Sequence, residues 1–256
     1  MKRLLTALLL IPAVSWIILW GPSLLFKIAI AAVACLCWVE FAEIASKFEA
    51  KVPIWIGIIP GLGLLFLNQR VELFLILLAL VAVTMSLRMD DLRLAIPSAA
   101  LFFFGLVYIF GSWRTAISLW ELARPWMFFA MIINWIGDSA AYYVGRAIGR
   151  HKLAPTVSPG KTWEGAIASL VLGSILSVAV LSFFVPQLDW WKAMAIAIVA
   201  NGAGQLGDLA ESALKRGANV KDSGTMLPGH GGWLDRMDSS LFSMPAVYAL
   251  YALLYQ

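Results

Sequence analysis

The stretch SALKRGANVKDSGTMLPGHGGWLDRMDS, Ser212 to Ser239, gathers Lys215, Arg216, Lys221 and Arg236 with Asp222, Asp235 and Asp238 around a glycine-rich turn holding His230. Cationic side chains neutralise phosphate oxygens. Carboxylates supply hard oxygen ligands, and Mg²⁺ is commonly held by one or two of them together with substrate phosphates. Glycines in PGHGGW, Pro228 to Trp233, allow close backbone approach to a ligand and positive φ angles. A basic loop with turn glycines would explain the Lys and Arg but not the carboxylates in the same run. The combination points to metal-assisted phosphoryl or nucleotidyl transfer. His230 has three readings: base, phosphate donor or loop staple. A triad hydrolase built on Ser212 or Ser239 would want a Gly-x-Ser-x-Gly elbow, and the sequence has none.

A second polar loop, Gly145 to Thr162, ends in SPGKT. Gly-Lys-Thr invites a phosphate-loop reading, but that loop needs Gly five residues before its last Gly, where Pro155 stands. What survives is Lys161 and the hydroxyl of Thr162 ahead of a helix starting near Trp163, whose free N–H groups favour phosphate.

These loops must be positioned by helices in a bilayer. The chain is 61% hydrophobic and only 13% charged, with a mean hydropathy of +0.85. A soluble domain is about 25% charged, so this one cannot cover a water-facing surface. Apolar runs of about twenty residues, the span of a ~30 Å hydrocarbon core, recur throughout. The expectation is an all-α polytopic membrane protein of about nine spans: Leu4–Trp20, Leu24–Ala45, Pro53–Leu67, Leu73–Leu87, Ala95–Phe110, Trp126–Val144, Trp163–Val185, Trp191–Leu214 and Ser239–Tyr255. The first resembles a signal peptide without a clear cleavage site and is read as an uncleaved helix. Cys35 and Cys37 read as buried packing thiols.

Two spans carry polar faces. Asn134, Asp138, Ala141 and Gly145 share one face of the sixth; Asn201, Gly204, Asp208, Glu211 or Ser212, and Lys215 share one face of the eighth. An Asp at a bilayer centre costs about 2.5–3.5 kcal/mol on insertion scales, so Asp138 and Asp208 should face protein, water or a cation. Both lie about seven residues from the same end of their helices, roughly 10 Å deep at 1.5 Å per residue, and could line one cavity. Glu40 and Glu43, close to Lys47, read instead as a solvated helix end.

Threading nine spans puts fourteen Lys and Arg on one side and five on the other, which predicts a cytoplasmic N-terminus and cytoplasmic polar loops. The net charge of +4 is too small and scattered to suggest nucleic acid.

The pattern S-x-L-K-R-x4-K-D-x-G-x2-L-P-G-H-G-G-x-L-D-R-x-D, from Ser212 to Asp238, resembles the signature of the phosphatidate cytidylyltransferases, or CDP-diacylglycerol synthases. GDSAAYYVGR at Gly137–Arg146, SPGKTWEG at Ser158–Gly165 and GDLAES at Gly207–Ser212 are similar to other stretches of that family. Trp233 departs from it, where a smaller aliphatic residue or Phe would be expected. The resemblance implies a bacterial-type inner or cell membrane enzyme that converts CTP and phosphatidic acid to CDP-diacylglycerol and pyrophosphate. It implies Mg²⁺, with K⁺ as a second cation, and a homodimer. By resemblance and position, Asp208 and Asp235 are the expected metal ligands, with Asp138, Asp222 and Asp238 as further ligands or orienters. Lys161, Lys215, Arg216, Lys221 and Arg236 are the expected phosphate binders, supported by Ser158, Thr162, Ser212 and His230. Residues 1–125 would then anchor the protein and wall the cavity, and residues 126–256 would carry the chemistry. A CTP-dependent lipid kinase and a cation-coupled transporter are the alternative readings; the transporter would want inverted repeats, and no such symmetry is visible.

Overall fold

A computed structural model describes residues 2–48, 52–226 and 231–255. The described chain is helical apart from one short hairpin. The elements are α1 (Lys2–Leu19), α2 (Ser23–Ser46), α3 (Ile54–Phe66), α4 (Val71–Thr84), α5 (Ala95–Leu106), α6 (Ser112–Leu122) and α7 (Arg124–Ile148). They continue as β1 (Lys152–Ala154), β2 (Ser158–Thr162), α8 (Trp163–Ala168), α9 (Ser174–Phe184), α10 (Trp190–Gly217) and α11 (Leu234–Tyr255). Five described helical runs are long and apolar enough to cross a bilayer: Ser23–Ser46, Val71–Arg88, Leu92–Leu122, Trp163–Phe184 and Trp190–Gly217. This is a polytopic helical membrane protein, as the hydropathy requires.

Two of those runs contain a π-helical turn, Val107–Gly111 between α5 and α6 and Ser169–Gly173 between α8 and α9. The fifth expected span ended at Phe110, yet its helix continues to Leu122. Its polar extension is tolerated because the Arg114 guanidinium donates to the Leu67 carbonyl at the end of α3, with Nη2 at 2.6 Å and Nε at 2.9 Å.

The chain divides into two interleaved compact units. One comprises residues 1–26, 115–213 and 237–256; the other comprises 27–114 and 214–236. The second has an aromatic centre. Trp38 is fully buried, donates its indole N–H to the Ile54 carbonyl at 2.8 Å and meets Phe102 edge-on at 5.8 Å. A Cβ on Gly57 would stand 2.0 Å from the Trp38 ring, and one on Gly61 would stand 2.3 Å from Phe110. Small residues four apart thus let α3 lie against large rings, the usual device where lipid removes the hydrophobic drive for helix association.

In the first unit Phe26 stacks on Trp120 at 4.7 Å, and Trp120 donates to the Ile18 carbonyl at 2.7 Å. Polar side chains tie the helices further in. Asn134 of α7 donates to Ser243 Oγ at 2.8 Å and Ser240 Oγ at 3.3 Å of α11. Asn201 of α10 accepts from Ser169 at 3.3 Å and from Gln205 at 2.7 Å. A Cβ on Gly137 would sit 2.6 Å from both Asn201 Nδ2 and Ser169 Oγ, so α7, α10 and the second π turn meet at a point only glycine fits.

Candidate active site

The polar loop after α7 folds as an antiparallel hairpin, with Lys152 opposite Thr162 and Ala154 opposite Ser158. Its strands are too short for alternation to reveal them in sequence. Helix α8 begins at Trp163 as the sequence predicts, and Thr162 is its N-cap, accepting from the Gly165 N–H at 3.2 Å. His151 Nδ1 lies 2.7 Å from Glu164 Oε1, which fastens the hairpin's start to the first turn of α8. The end of α7 passes close by: a Cβ on Gly165 would be 2.8 Å from the Ala141 carbonyl, and one on Gly145 would be 3.0 Å from Thr162 Oγ1.

This crossing leaves a cavity of about 680 Å³ inside the first unit. Asp138, Tyr142 and Arg146 reach it from α7, Ser158, Lys161 and Thr162 from the hairpin, and Gln205 and Asp208 from α10. Lys161 Nζ is 2.6 Å from Asp208 Oδ2, and Ser212 Oγ donates to Asp208 Oδ1 at 3.4 Å. Arg146 donates to Tyr142 Oη at 2.9 Å. The two intramembrane acids expected to share a cavity do so. Sequence reasoning passed over Arg146 and Gln205 as site residues, although Arg146 closes one of the motif stretches and Gln205 lies between Asn201 and Asp208.

The acidic character extends beyond the cavity lining. Asp238, at the start of α11, lies within electrostatic range of Asp208, Glu211 and Asp138. A Cβ on Gly207 would be 2.6 Å from the Asp238 carbonyl, so glycine lets α10 abut α11 beside these carboxylates.

The second unit holds another ionic cluster. Lys215 pairs with Asp235 Oδ1, both side chains nearly buried. Asp235 Oδ2 accepts from the N–H groups of Gly232 at 2.8 Å and Ser223 at 2.9 Å. Asp235 precedes the apolar stretch that begins at Ser239. Burial alone would raise its carboxyl, but Lys215 and these two N–H groups outweigh that and hold it below the usual carboxylate range. Gly231 has φ +78°, the left-handed region that glycine adopts without strain.

Glu40 corrects the sequence reading. It is not part of a solvated helix end: it is 1% exposed, while Glu43 one turn on is exposed. Glu40 Oε2 accepts from Ser223 Oγ at 2.7 Å and the Leu234 N–H at 2.8 Å, and Oε1 accepts from the Trp233 N–H at 2.9 Å. Nothing local could reveal this, because the partners lie 183 to 194 residues away.

The remaining expected residues are placed as follows. Arg216 is exposed and donates to the Val220 carbonyl at 2.8 Å; Lys221, Asp222 and Arg236 are exposed. His230 lies outside the described residues. Among the described residues, no three His, Cys, Asp or Glu side chains gather closely enough to hold a metal ion unaided. Magnesium shared with substrate phosphates needs only one or two carboxylates, which Asp138 and Asp208 supply in the cavity. Asp235, the other expected ligand, meets the Lys215 ammonium and two N–H groups, much as Asp208 meets the Lys161 ammonium and the Ser212 hydroxyl.

The cavity brings the acidic Asp138 and Asp208 together with the basic Arg146 and Lys161, the last from the hairpin. The sequence profile of the cytidylyltransferase family matches residues 1–254, and the chain belongs to that family. It is similar to the phosphatidate cytidylyltransferases of Staphylococcus haemolyticus strain JCSC1435 (44% identity over 125 residues, 49% of this chain) and Bacillus subtilis strain 168 (44% over 133 residues, 52% of this chain). It is also 43% identical over 125 residues to that of Staphylococcus aureus strain COL. These matches span about half the length of each relative, 48%, 49% and 48% respectively.

Proposed function

We propose that this protein transfers the cytidylyl group of CTP to phosphatidic acid, giving CDP-diacylglycerol and pyrophosphate. The observation that carries this reading is the cavity of the first unit, whose lining brings Lys161 and Arg146 together with Asp138 and Asp208. Family membership and the names of the relatives support it.

In this reading a phosphatidate oxygen attacks the α-phosphorus of CTP. The bond from that phosphorus to the bridging oxygen breaks, and the electron pair leaves with pyrophosphate. Both reactants are anionic, so much of the barrier is electrostatic. Lys161 and Arg146 bind phosphate oxygens and offset the repulsion between the two substrates. Thr162 and Ser158 orient them through their hydroxyls. Lys215, held by Asp235, is a further phosphate binder, with Arg216, Lys221 and Arg236 drawing the nucleotide from solution. Asp208 and Asp138 are the residues that would hold Mg²⁺, which when bound supplies Lewis-acid stabilisation of the phosphoryl oxygens. The apolar walls let the acyl chains of the lipid stay in the bilayer while its headgroup enters. The polar loops face the cytoplasm, where CTP is found, in keeping with the Lys and Arg bias.

Labelled CTP tests the reading. Purified protein with Mg²⁺, phosphatidic acid and CTP should place label from the α-phosphate in the lipid and release pyrophosphate. Transfer of only the γ-phosphate, to a lipid alcohol, would make the protein a kinase instead.

A further inference from the structure

Helix α2 belongs to the part of the chain whose sequence suggests an anchor and a cavity wall, yet one of its side chains is built into the signature loop. We propose that Glu40 is a positioning residue for the reaction: it sets the conformation of residues 222–224 and 232–235 and, through them, the Lys215–Asp235 pair. The activity part of this inference rests on the cytidylyl-transfer reading; its structural part does not.

Three features within the second unit carry it. First, three donors converge on the two oxygens of Glu40, from Ser223, Trp233 and Leu234, all at 2.7–2.9 Å. A carboxylate accepts at both oxygens, whereas an amide would turn an NH₂ group towards at least one of these donors. Second, the loop is shaped to admit it. A Cβ on Gly232 would stand 2.2 Å from Glu40 Oε2, and one on Gly224 would stand 2.6 Å from Oε1, so both glycines make room for this side chain.

Third, the links run on to the ion pair. Ser223 donates its hydroxyl to Glu40 and accepts the Asp235 N–H on the same oxygen at 3.2 Å, while its own N–H donates to Asp235 Oδ2. Trp233 and Leu234 stand at the start of α11, so Glu40 satisfies two first-turn N–H groups that the helix itself leaves without partners. A negative group there also complements the positive end of the helix. Glu40 therefore fixes both where α11 begins and how Asp235, in its first turn, is aimed at Lys215. Displacing a substrate-binding group by about 1 Å can cost about a hundredfold in rate.

The test compares Glu40→Gln with Glu43→Gln, its exposed neighbour on the same helix, and with Ser223→Ala, which removes one link without touching α2. Hydrogen exchange of the purified protein reads the loop, and steady-state kinetics read the reaction. Glu40→Gln should speed exchange across residues 222–226 and 231–236 and leave the other described residues as in the wild type. Its kcat should fall about tenfold or more, with KM for phosphatidic acid moving less than about threefold. Ser223→Ala should show both effects more weakly, and Glu43→Gln neither. Wild-type exchange in the loop of Glu40→Gln overturns the proposal, as does wild-type kcat. If Glu40→Gln unfolds throughout, Ser223→Ala decides, and unchanged loop exchange and kcat in that variant overturn it equally. A wild-type protein that transfers no cytidylyl group would sink the functional reading, while loop exchange would still judge the role of Glu40 in the fold.

Discussion

Lys161 Nζ lies 2.6 Å from Asp208 Oδ2, joining the basic hairpin after α7 to the acidic face of α10. Each side chain keeps more than a quarter of its surface exposed, 27% and 29%. Ion pairs that open to solvent typically contribute only about 0–1 kcal/mol to stability. The arrangement is therefore better suited to chemistry than to holding the fold. It places an ammonium and a carboxylate where an incoming phosphate and its counter-cation can each find a partner.

Lys161→Met should consequently separate function from stability. Cytidylyl transfer is expected to fall by about a hundredfold, since a charged donor to a transferring phosphate is often worth 10²–10³. The unfolding temperature in detergent should move by no more than a few degrees. A variant with near-normal turnover would remove Lys161 from the phosphate site.

Glycine placement gives a prediction about the scaffold. Gly137→Ala pushes a methyl to within 2.6 Å of Asn201 and Ser169, at the junction of α7, α10 and the second π turn. Such overpacking typically costs about 1–3 kcal/mol. Gly202, on the same α10 helix, has nothing within 4 Å of its would-be Cβ, so Gly202→Ala should be neutral or slightly stabilising. Thermal unfolding of the two variants side by side checks the contrast; equal effects would mean that the junction has room for a methyl group.

How much of this was legible in the sequence depends on the range of the interaction. The pairing of Asp138 with Asp208 in one cavity followed from helical period and depth alone, because both quantities are local. The start of α8 was legible because Thr162 and Lys161 precede an apolar run. Glu40 was misread because a carboxylate near Lys47 at a helix end looks solvated, and its partners are almost two hundred residues away. The continuation of the fifth span to Leu122 was hidden for a similar reason. Ser112, Arg114 and Glu121 lower its hydropathy, and only the Leu67 carbonyl, 47 residues from Arg114, shows why Arg114 is accommodated. The π turns carry no signal in the residue pattern.

The Lys215–Asp235 pair predicts strong non-additivity. The two side chains are 9% and 6% exposed, so removing either one takes the opposite charge of this pair away from the other in a buried place. Lys215→Met or Asp235→Asn alone should each destabilise by about 3–5 kcal/mol, whereas the double variant should regain a large part of that loss. Unfolding temperatures of the three variants form the cycle. Simple addition of the two single effects would show that the charges act independently.

Asp208→Asn is the sharpest test of the cavity. The substitution keeps size and shape, and the amide keeps one oxygen for Lys161 while its NH₂ can donate to the Ser212 hydroxyl, but it removes the charge that would share Mg²⁺ with substrate phosphate. Turnover should fall to background at every Mg²⁺ concentration, with an unfolding profile close to the wild type. Asp208→Glu should retain some activity with a raised Mg²⁺ requirement, because the carboxylate survives on a longer arm. The two variants together distinguish a cation ligand from a partner of Lys161. If Asp208 served only to hold Lys161, Asp208→Asn would keep a measurable rate and the Mg²⁺ dependence of Asp208→Glu would match that of the unaltered protein.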